Sequence, residues 1–261
     1  MIERLLGNRL ALAGAFVLCA VAGAGIFAAI QALVPGMGPR GQAERVVHDW
    51  VLAHPEVLLE SVERYNQKQS ANADKAQAEA VAAAEKTLPA ERARLETPYA
   101  GAWAGNPKGD VTVVAFMDYA CGYCRASLPA IQELLKRDPN VKLVYREYPV
   151  LGPDSLVAAR WALAAAEQDK FRAFHDALFA TDGPSAANIE AAAGKAGLDM
   201  TKAKQVIGSK PVEDEIVANH KFGQKLAMTG TPSWVVGGKL LYGMRDYDGL
   251  AAAVAEARKG K

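Results

Sequence analysis

The sequence predicts an α/β fold in which a strand–helix–strand unit and a terminal β-hairpin are separated by a long helical block. Three observations carry this. Val111-Thr112-Val113-Val114-Ala115-Phe116-Met117 is a short β-branched run of the kind that forms a buried strand, and Val141 to Arg146 alternates as a second strand after a helix-like stretch from Ser127 to Lys136. Residues 155 to about 222 hold helical patterns, with Trp161, Leu163, Phe171, Phe174, Leu178 and Phe179 apolar, and no convincing strand. Trp234-Val235-Val236 and Lys239-Leu240-Leu241-Tyr242 then flank Gly237-Gly238, a two-residue hairpin signal, before a helix over Asp246 to Arg258.

In front of this unit lie two segments of different texture. From Leu10 to Pro39 there is no charged residue, and Arg4 and Arg9 precede the run, so the N-terminus reads as a membrane-inserting segment held positive side in. The apolar part, residues 10–34, exceeds the ~7–15 residues of a signal-peptide core and reaches the ~20 of a spanning helix, which favours a retained anchor. Small residues such as Ala22-Gly23-Ala24 leave a cleaved signal open. Both routes deliver the rest of the chain to a compartment where disulfides persist. The breaker cluster Pro35-Gly36-Met37-Gly38-Pro39 ends this segment.

Residues 42–96 have the composition of helix, interrupted at Pro55. Val46, Val47, Trp50 and Val51, then Leu58, Val62 and Tyr65, form apolar stripes at helical spacing that need a partner surface. The Ala, Glu and Lys-rich stretch from Gln67 to Glu96 reads as a spacer, and Pro98 to Gly109 as a linker. The expected division is residues 1–40 as anchor or signal, 41–97 as oligomerisation extension and spacer, and 98–261 as the catalytic unit.

The whole chain of 261 residues carries 30 basic and 29 acidic side chains, a net charge of +1, which leaves no field to draw nucleic acid. It has three cysteines. Cys19 lies inside the apolar run and reads as a bystander. Cys121 and Cys124 are two residues apart where a strand gives way to a helix. That spacing lets two sulfurs close a small ring, and the helix N-terminus offers unpaired N–H groups and positive potential to a thiolate. Cys121 is therefore expected to be the exposed, low-pKa thiol that attacks, and Cys124 the shielded one that resolves. A zinc site needs about four ligands, and no second Cys-Cys or His-His pair exists; His48, His54, His175 and His220 are scattered. No metal is expected.

Gly230-Thr231-Pro232-Ser233 stands at the start of the Trp234 strand, where a proline cannot donate to the ladder. A cis Thr231-Pro232 bond would offer the Thr231 backbone to an extended substrate beside the cysteines.

Phe116 to Cys124, with Gly230-Thr231-Pro232 and Gly237 to Gly243 downstream, resembles the DsbA-like thioredoxin family of bacterial periplasmic proteins over about residues 110–261. The resemblance implies a thioredoxin fold with an inserted helical domain, here preceded by a transmembrane or signal helix and a helical extension. Pro129 resembles the proline in the active-site helix of thioredoxins. His54-Pro55-Glu56-Val57-Leu58-Leu59-Glu60 resembles the extension on the copper-sensitivity suppressor (ScsC-like) type, where such extensions mediate oligomerisation. Gly122-Tyr123, and Thr231 before Pro232, resemble the disulfide isomerase DsbC, so Gly122, Tyr123, Thr231 and Pro232 are the implied substrate-binding residues beside the catalytic Cys121 and Cys124. One departure stands out: the acid that thioredoxin and DsbA carry six residues before the first cysteine is Ala115 here.

The expected activity is thiol–disulfide exchange on cysteines of exported proteins, as isomerase or reductase. The alternatives are a dithiol oxidase, or a membrane-tethered module that binds copper or zinc. No cofactor is expected beyond the redox-active disulfide Cys121–Cys124. The expected partners are exported cysteine-containing proteins, a membrane redox partner of DsbB or DsbD type, and further copies of the chain through residues 42–65. The expected location is the periplasm, at the inner membrane through residues 10–34.

Overall fold

The computed structural model describes residues 9–33 and 39–260. Arg4 and residues 34–38, with them most of the breaker cluster, lie outside the described residues. The chain divides into two compact units, one up to Ala73 and one from Asp74 onward.

In the first unit α1 (Arg9–Leu33) contains Ala13–Ile30, long and apolar enough to cross a membrane with a mean hydropathy of 2.3. Cys19 is exposed on it. Next come α2 (Pro39–Ala53) and the start of α3 (Glu56–Glu96), separated at Pro55, which cannot supply the N–H that a continuing helix needs. Val46, Val47, Trp50, Leu58, Val62 and Tyr65 are all exposed within the chain.

The second unit is built on a five-stranded sheet of order β1-β3-β2-β4-β5. The strands are β1 (Trp103–Gly105), β2 (Val111–Met117), β3 (Val141–Glu147), β4 (Ser233–Val236) and β5 (Lys239–Tyr242). β2 and β3 run parallel through the crossover helix α4 (Gly122–Arg137), and the other pairings are antiparallel. Five further helices fill the block between β3 and β4: α5 (Pro153–Ala166), α6 (Phe171–Phe179), α7 (Ala186–Ala196), α8 (Met200–Val206) and α9 (Lys210–Lys225). Asp246 caps the closing helix α10 (Tyr247–Lys259) by accepting the Gly249 N–H at 2.9 Å.

β2 is buried at every position because both faces of the sheet are covered. Val111, Val113, Ala115 and Met117 join the layer formed with α4, α5, α6 and α10, whereas Val114 and Phe116 meet Ala84, Leu88 and Leu95 of α3 with Phe222 and Leu226. The period of two along the strand thus serves two separate cores.

That second layer corrects two expectations. The stretch read as a spacer is not held clear of the catalytic unit from Asp74 on. Ala84, Leu88 and Leu95 share one side of a helix and are buried on the sheet, and Gln77 Nε2 donates to the Ala227 carbonyl at 3.1 Å. The supposed linker also contains β1, which pairs with β3 at Trp103↔Val144. The compact unit therefore begins at residue 74, not 98. A chain starting at Thr97 is expected to lose more than about 5 kcal/mol, since two buried leucines and the sheet side chains under them would face water. One starting at Asp74 should unfold cooperatively in urea; equal stability of the two would refute the packing.

Candidate functional site

β2 ends at Met117, and Asp118 to Ala120 turn the chain into α4. Cys121 keeps an extended backbone (φ −82°, ψ 114°) and acts as the N-cap of α4, its sulfur accepting the Cys124 N–H at 3.4 Å. This is the capping position in which a side-chain acceptor meets a free helix N–H, so negative charge on that sulfur is favoured.

The register Phe116↔Ser233 brings the start of β4 alongside the end of β2. Thr231 consequently lies across from the cysteines, and Cys121 Sγ stands 3.2 Å from the Thr231 carbonyl oxygen, a contact open to the protonated thiol. The Thr231-Pro232 bond is cis and Pro232 is buried. Gly122 and Tyr123 are exposed on the first turn of α4, Tyr123 at 68 %. The structure thus brings together all six residues singled out in the sequence.

The two thiols differ sharply. The Cys121 thiol is pulled down to about 5, chiefly by the hydrogen bond from the Cys124 side chain. Burial opposes this, while the N–H groups of Cys124 and Tyr123 add to the lowering. Cys124 is pushed far up, first by burial and then by its neighbour Cys121. At neutral pH the pair is a thiolate next to a thiol. Cys121 is less open than expected, at 6 % exposure against 0 % for Cys124, because cap and Thr231 edge close over it.

Sequence reasoning missed the polar groups behind the pair. Tyr119 is buried with its hydroxyl 3.0 Å from His175 Nδ1 and 3.3 Å from Glu147 Oε1. Burial pushes Glu147 well above the carboxylate range, with the charges of Asp118 and Glu215 acting in the same direction and the Tyr119 hydrogen bond against. Burial also brings His175 down to about 3. His175 is thus neutral at pH 7, which lets it lie among the rings of Phe171 and Phe179. His175 is packed among these rings, next to the turn that carries the cysteines. For Asp118 the available signal is an acid directly after an apolar strand. Among the described residues no three His, Cys, Asp or Glu side chains converge as a metal site.

Residues 112–255 match the DSBA-like thioredoxin domain family, and residues 42–72 match the copper resistance protein ScsC N-terminal domain. Among solved structures, a thioredoxin-like oxidoreductase from Silicibacter pomeroyi DSS-3 is 44% identical, with 60% of this chain and 91% of that chain covered and a TM-score of 0.59. The thiol-disulfide exchange protein alpha-DsbA2 from Wolbachia pipientis is 27% identical, with 66% and 95% covered and a TM-score of 0.60. Among curated proteins, Na(+)/H(+) antiporter NhaA 1 of Salinispora arenicola is 31% identical over 159 residues, 60% of this chain. The match spans only 24% of that antiporter. With more than half of its length matched to one family and the cysteine pair at the cap of α4, this chain belongs to the DsbA-like thioredoxin family.

Proposed function

We propose that this chain, a thiol–disulfide oxidoreductase by family and by site, reduces or isomerises disulfides of exported proteins in the periplasm. One observation carries the reading: Cys121 is a stabilised thiolate at a helix N-terminus, backed by a Cys124 that stays protonated. In this reading Cys121 attacks a substrate disulfide and one substrate sulfur leaves; Cys124 then attacks Cys121 of the mixed disulfide and releases the second. The chain's pair ends oxidised and the substrate reduced. When substrate sulfur resolves the mixed disulfide instead, the outcome is isomerisation. Gly122, Tyr123 and the Thr231-Pro232 edge form the surface that takes the substrate segment. The redox centre is the Cys121–Cys124 disulfide, and no other cofactor enters.

α1 supports an inner-membrane anchor, and the exposed apolar residues of α2 and early α3 support self-association through residues 42–65. A shared assembly would let one misfolded chain meet several Cys121 sulfurs, which favours shuffling. A membrane partner of DsbD type would keep the pair reduced.

The second reading, a dithiol oxidase recharged by a DsbB-type partner, is favoured by the low Cys121 pKa itself, because stabilising the thiolate makes the disulfide more oxidising. Acid-quenching cells and alkylating the free thiols separates the two: a reduced pair at steady state supports isomerase or reductase, and an oxidised pair supports oxidase. For assembly, the full chain and a form starting at Asp74 are compared by light scattering and by refolding of scrambled ribonuclease. A monomeric full chain, or equal isomerase activity of both forms, would defeat the role of residues 42–65.

A further inference from the structure

Asp118 is 1 % exposed, and a carboxylate is rarely so buried without partners. It has four. Oδ1 accepts the Ala120 N–H at 2.8 Å and the Ser155 hydroxyl at 2.6 Å, and Oδ2 accepts the N–H groups of Val150 at 2.8 Å and Leu151 at 3.0 Å. Its main-chain carbonyl accepts the Cys121 N–H at 3.1 Å. One residue is therefore bonded to three separate pieces of chain: the turn that delivers Cys121, the loop after β3, and the first turn of α5.

The geometry of the reactive sulfur depends on that turn. Cys121 Sγ reaches its cap donor at 3.4 Å and Thr231 at 3.2 Å only if residues 118–121 hold their path, and Ala120, directly before the cysteine, is itself exposed. Ala120 is held by the hydrogen bond from its N–H to Asp118. The loop on the other side offers the same carboxylate two successive N–H groups, so the turn is fastened to a segment braced by β3 and α5.

We propose that Asp118 is the positioning residue of this site, its buried carboxylate fastening the cysteine turn to the Val150-Leu151 loop so that the Cys121 sulfur stays against its cap. This rests on the reading of Cys121 as the attacking thiol. Asp118 has no need to touch substrate. An asparagine in its place offers one acceptor oxygen and turns an NH₂ group toward two N–H donors, so half of the fastening is lost and replaced by donor–donor repulsion.

The sign of the effect separates positioning from simple charge. The titratable neighbours of Asp118 are Cys121 and Cys124 on the turn and Glu147 at the end of β3. Removing a negative charge near the sulfur would by electrostatics alone favour the thiolate and lower the Cys121 midpoint. Loosening the cap would raise it. The experiment titrates the thiolate by its ultraviolet absorbance and by iodoacetamide rate between pH 4 and 9, with the full chain in detergent and Cys19→Ala as background.

The expected result for Asp118→Asn is a midpoint raised by about one unit, which is about a tenfold shift of the glutathione equilibrium toward the disulfide. Ser155→Ala, which removes one donor and leaves the charge, should move both in the same direction by about twofold to threefold. Thermal stability would fall under a merely structural role as well and decides nothing here. A midpoint unchanged or lowered in Asp118→Asn would overturn the proposal, and if that variant does not fold, an unchanged midpoint in Ser155→Ala does the same. A background protein whose Cys121 titrates near 8.5 would overturn both this proposal and the reading under it. A background near 5 with unaltered variants removes the role of Asp118 alone.

Discussion

Replacing Cys121 by alanine is expected to reduce disulfide exchange to the level of protein-free buffer, whereas Cys124→Ala should accumulate mixed disulfides with substrate proteins. The asymmetry follows from the two environments. Cys124 has no exposed surface and is held as a thiol, so without Cys121 nothing can attack. Cys121 can still attack without Cys124, but nothing inside the chain then resolves the product. Non-reducing gels of the two variants after incubation with a scrambled substrate check this, and equal trapping by both would refute the assignment.

The lowered pKa has a less obvious consequence for rate. A thiol at about 5 is almost wholly thiolate at pH 7, roughly thirtyfold more than one at 8.5, but a Brønsted slope of about 0.4–0.5 costs a similar factor in nucleophilicity. The two cancel. The gain lies in departure: Cys121 is the better leaving group when Cys124 attacks a mixed disulfide. Alkylation of Cys121 should therefore be nearly flat between pH 6 and 8 and halve near pH 5. Because the folded pKa is depressed, the folding stability that the Cys121 thiolate gives the reduced form is full above about pH 8.5. It is lost as pH falls through about 5.

Arg146→Ala is expected to destabilise the unit from Asp74 on by about 3–5 kcal/mol, the range for stripping one partner from a buried ion pair. The guanidinium is 3 % exposed. Its Nη1 donates to Glu215 at 2.6 Å and Asn219 at 3.3 Å, and its Nη2 donates to the carbonyls of Arg94, Leu95 and Thr97. The Arg94 and Leu95 carbonyls belong to the last turn of α3, which lacks helical partners of its own, and Thr97 follows directly after it. Arg146 thus fixes the helix that covers one face of the sheet. Arg146→Lys should recover little, since three donors on a point charge cannot meet two separate groups in a fork. Urea unfolding measures the loss; a change under 1 kcal/mol would show that the carbonyls are satisfied some other way.

The parts of this fold that were legible share a feature: their signal is local. β2 is buried on both faces, so it is a continuous apolar run, and the cysteines and Thr231-Pro232 are short motifs with a chemistry of their own. β1 was invisible because three residues between Gly101 and Pro107 carry no period, and it exists only through its pairing with β3. The second half of α3 misled for a related reason. Ala84, Leu88 and Leu95 are its only buried residues, widely spaced among charged side chains, so composition outweighed pattern. The missed site residues depend on partners far along the chain. Asp118 meets Val150 and Ser155, and Tyr119 meets Glu147 and His175, none of which a window around the cysteines contains.

That Cys121 is both cap and reagent has a consequence for the backbone. Ordinary helix caps keep their chemistry, but this one gives up its charge whenever its sulfur bonds to another sulfur. The hydrogen bond that it accepts from the Cys124 N–H, in the turn that carries Tyr123, is then expected to weaken. Oxidation of the pair is thus expected to loosen the same short segment that a departing substrate must leave.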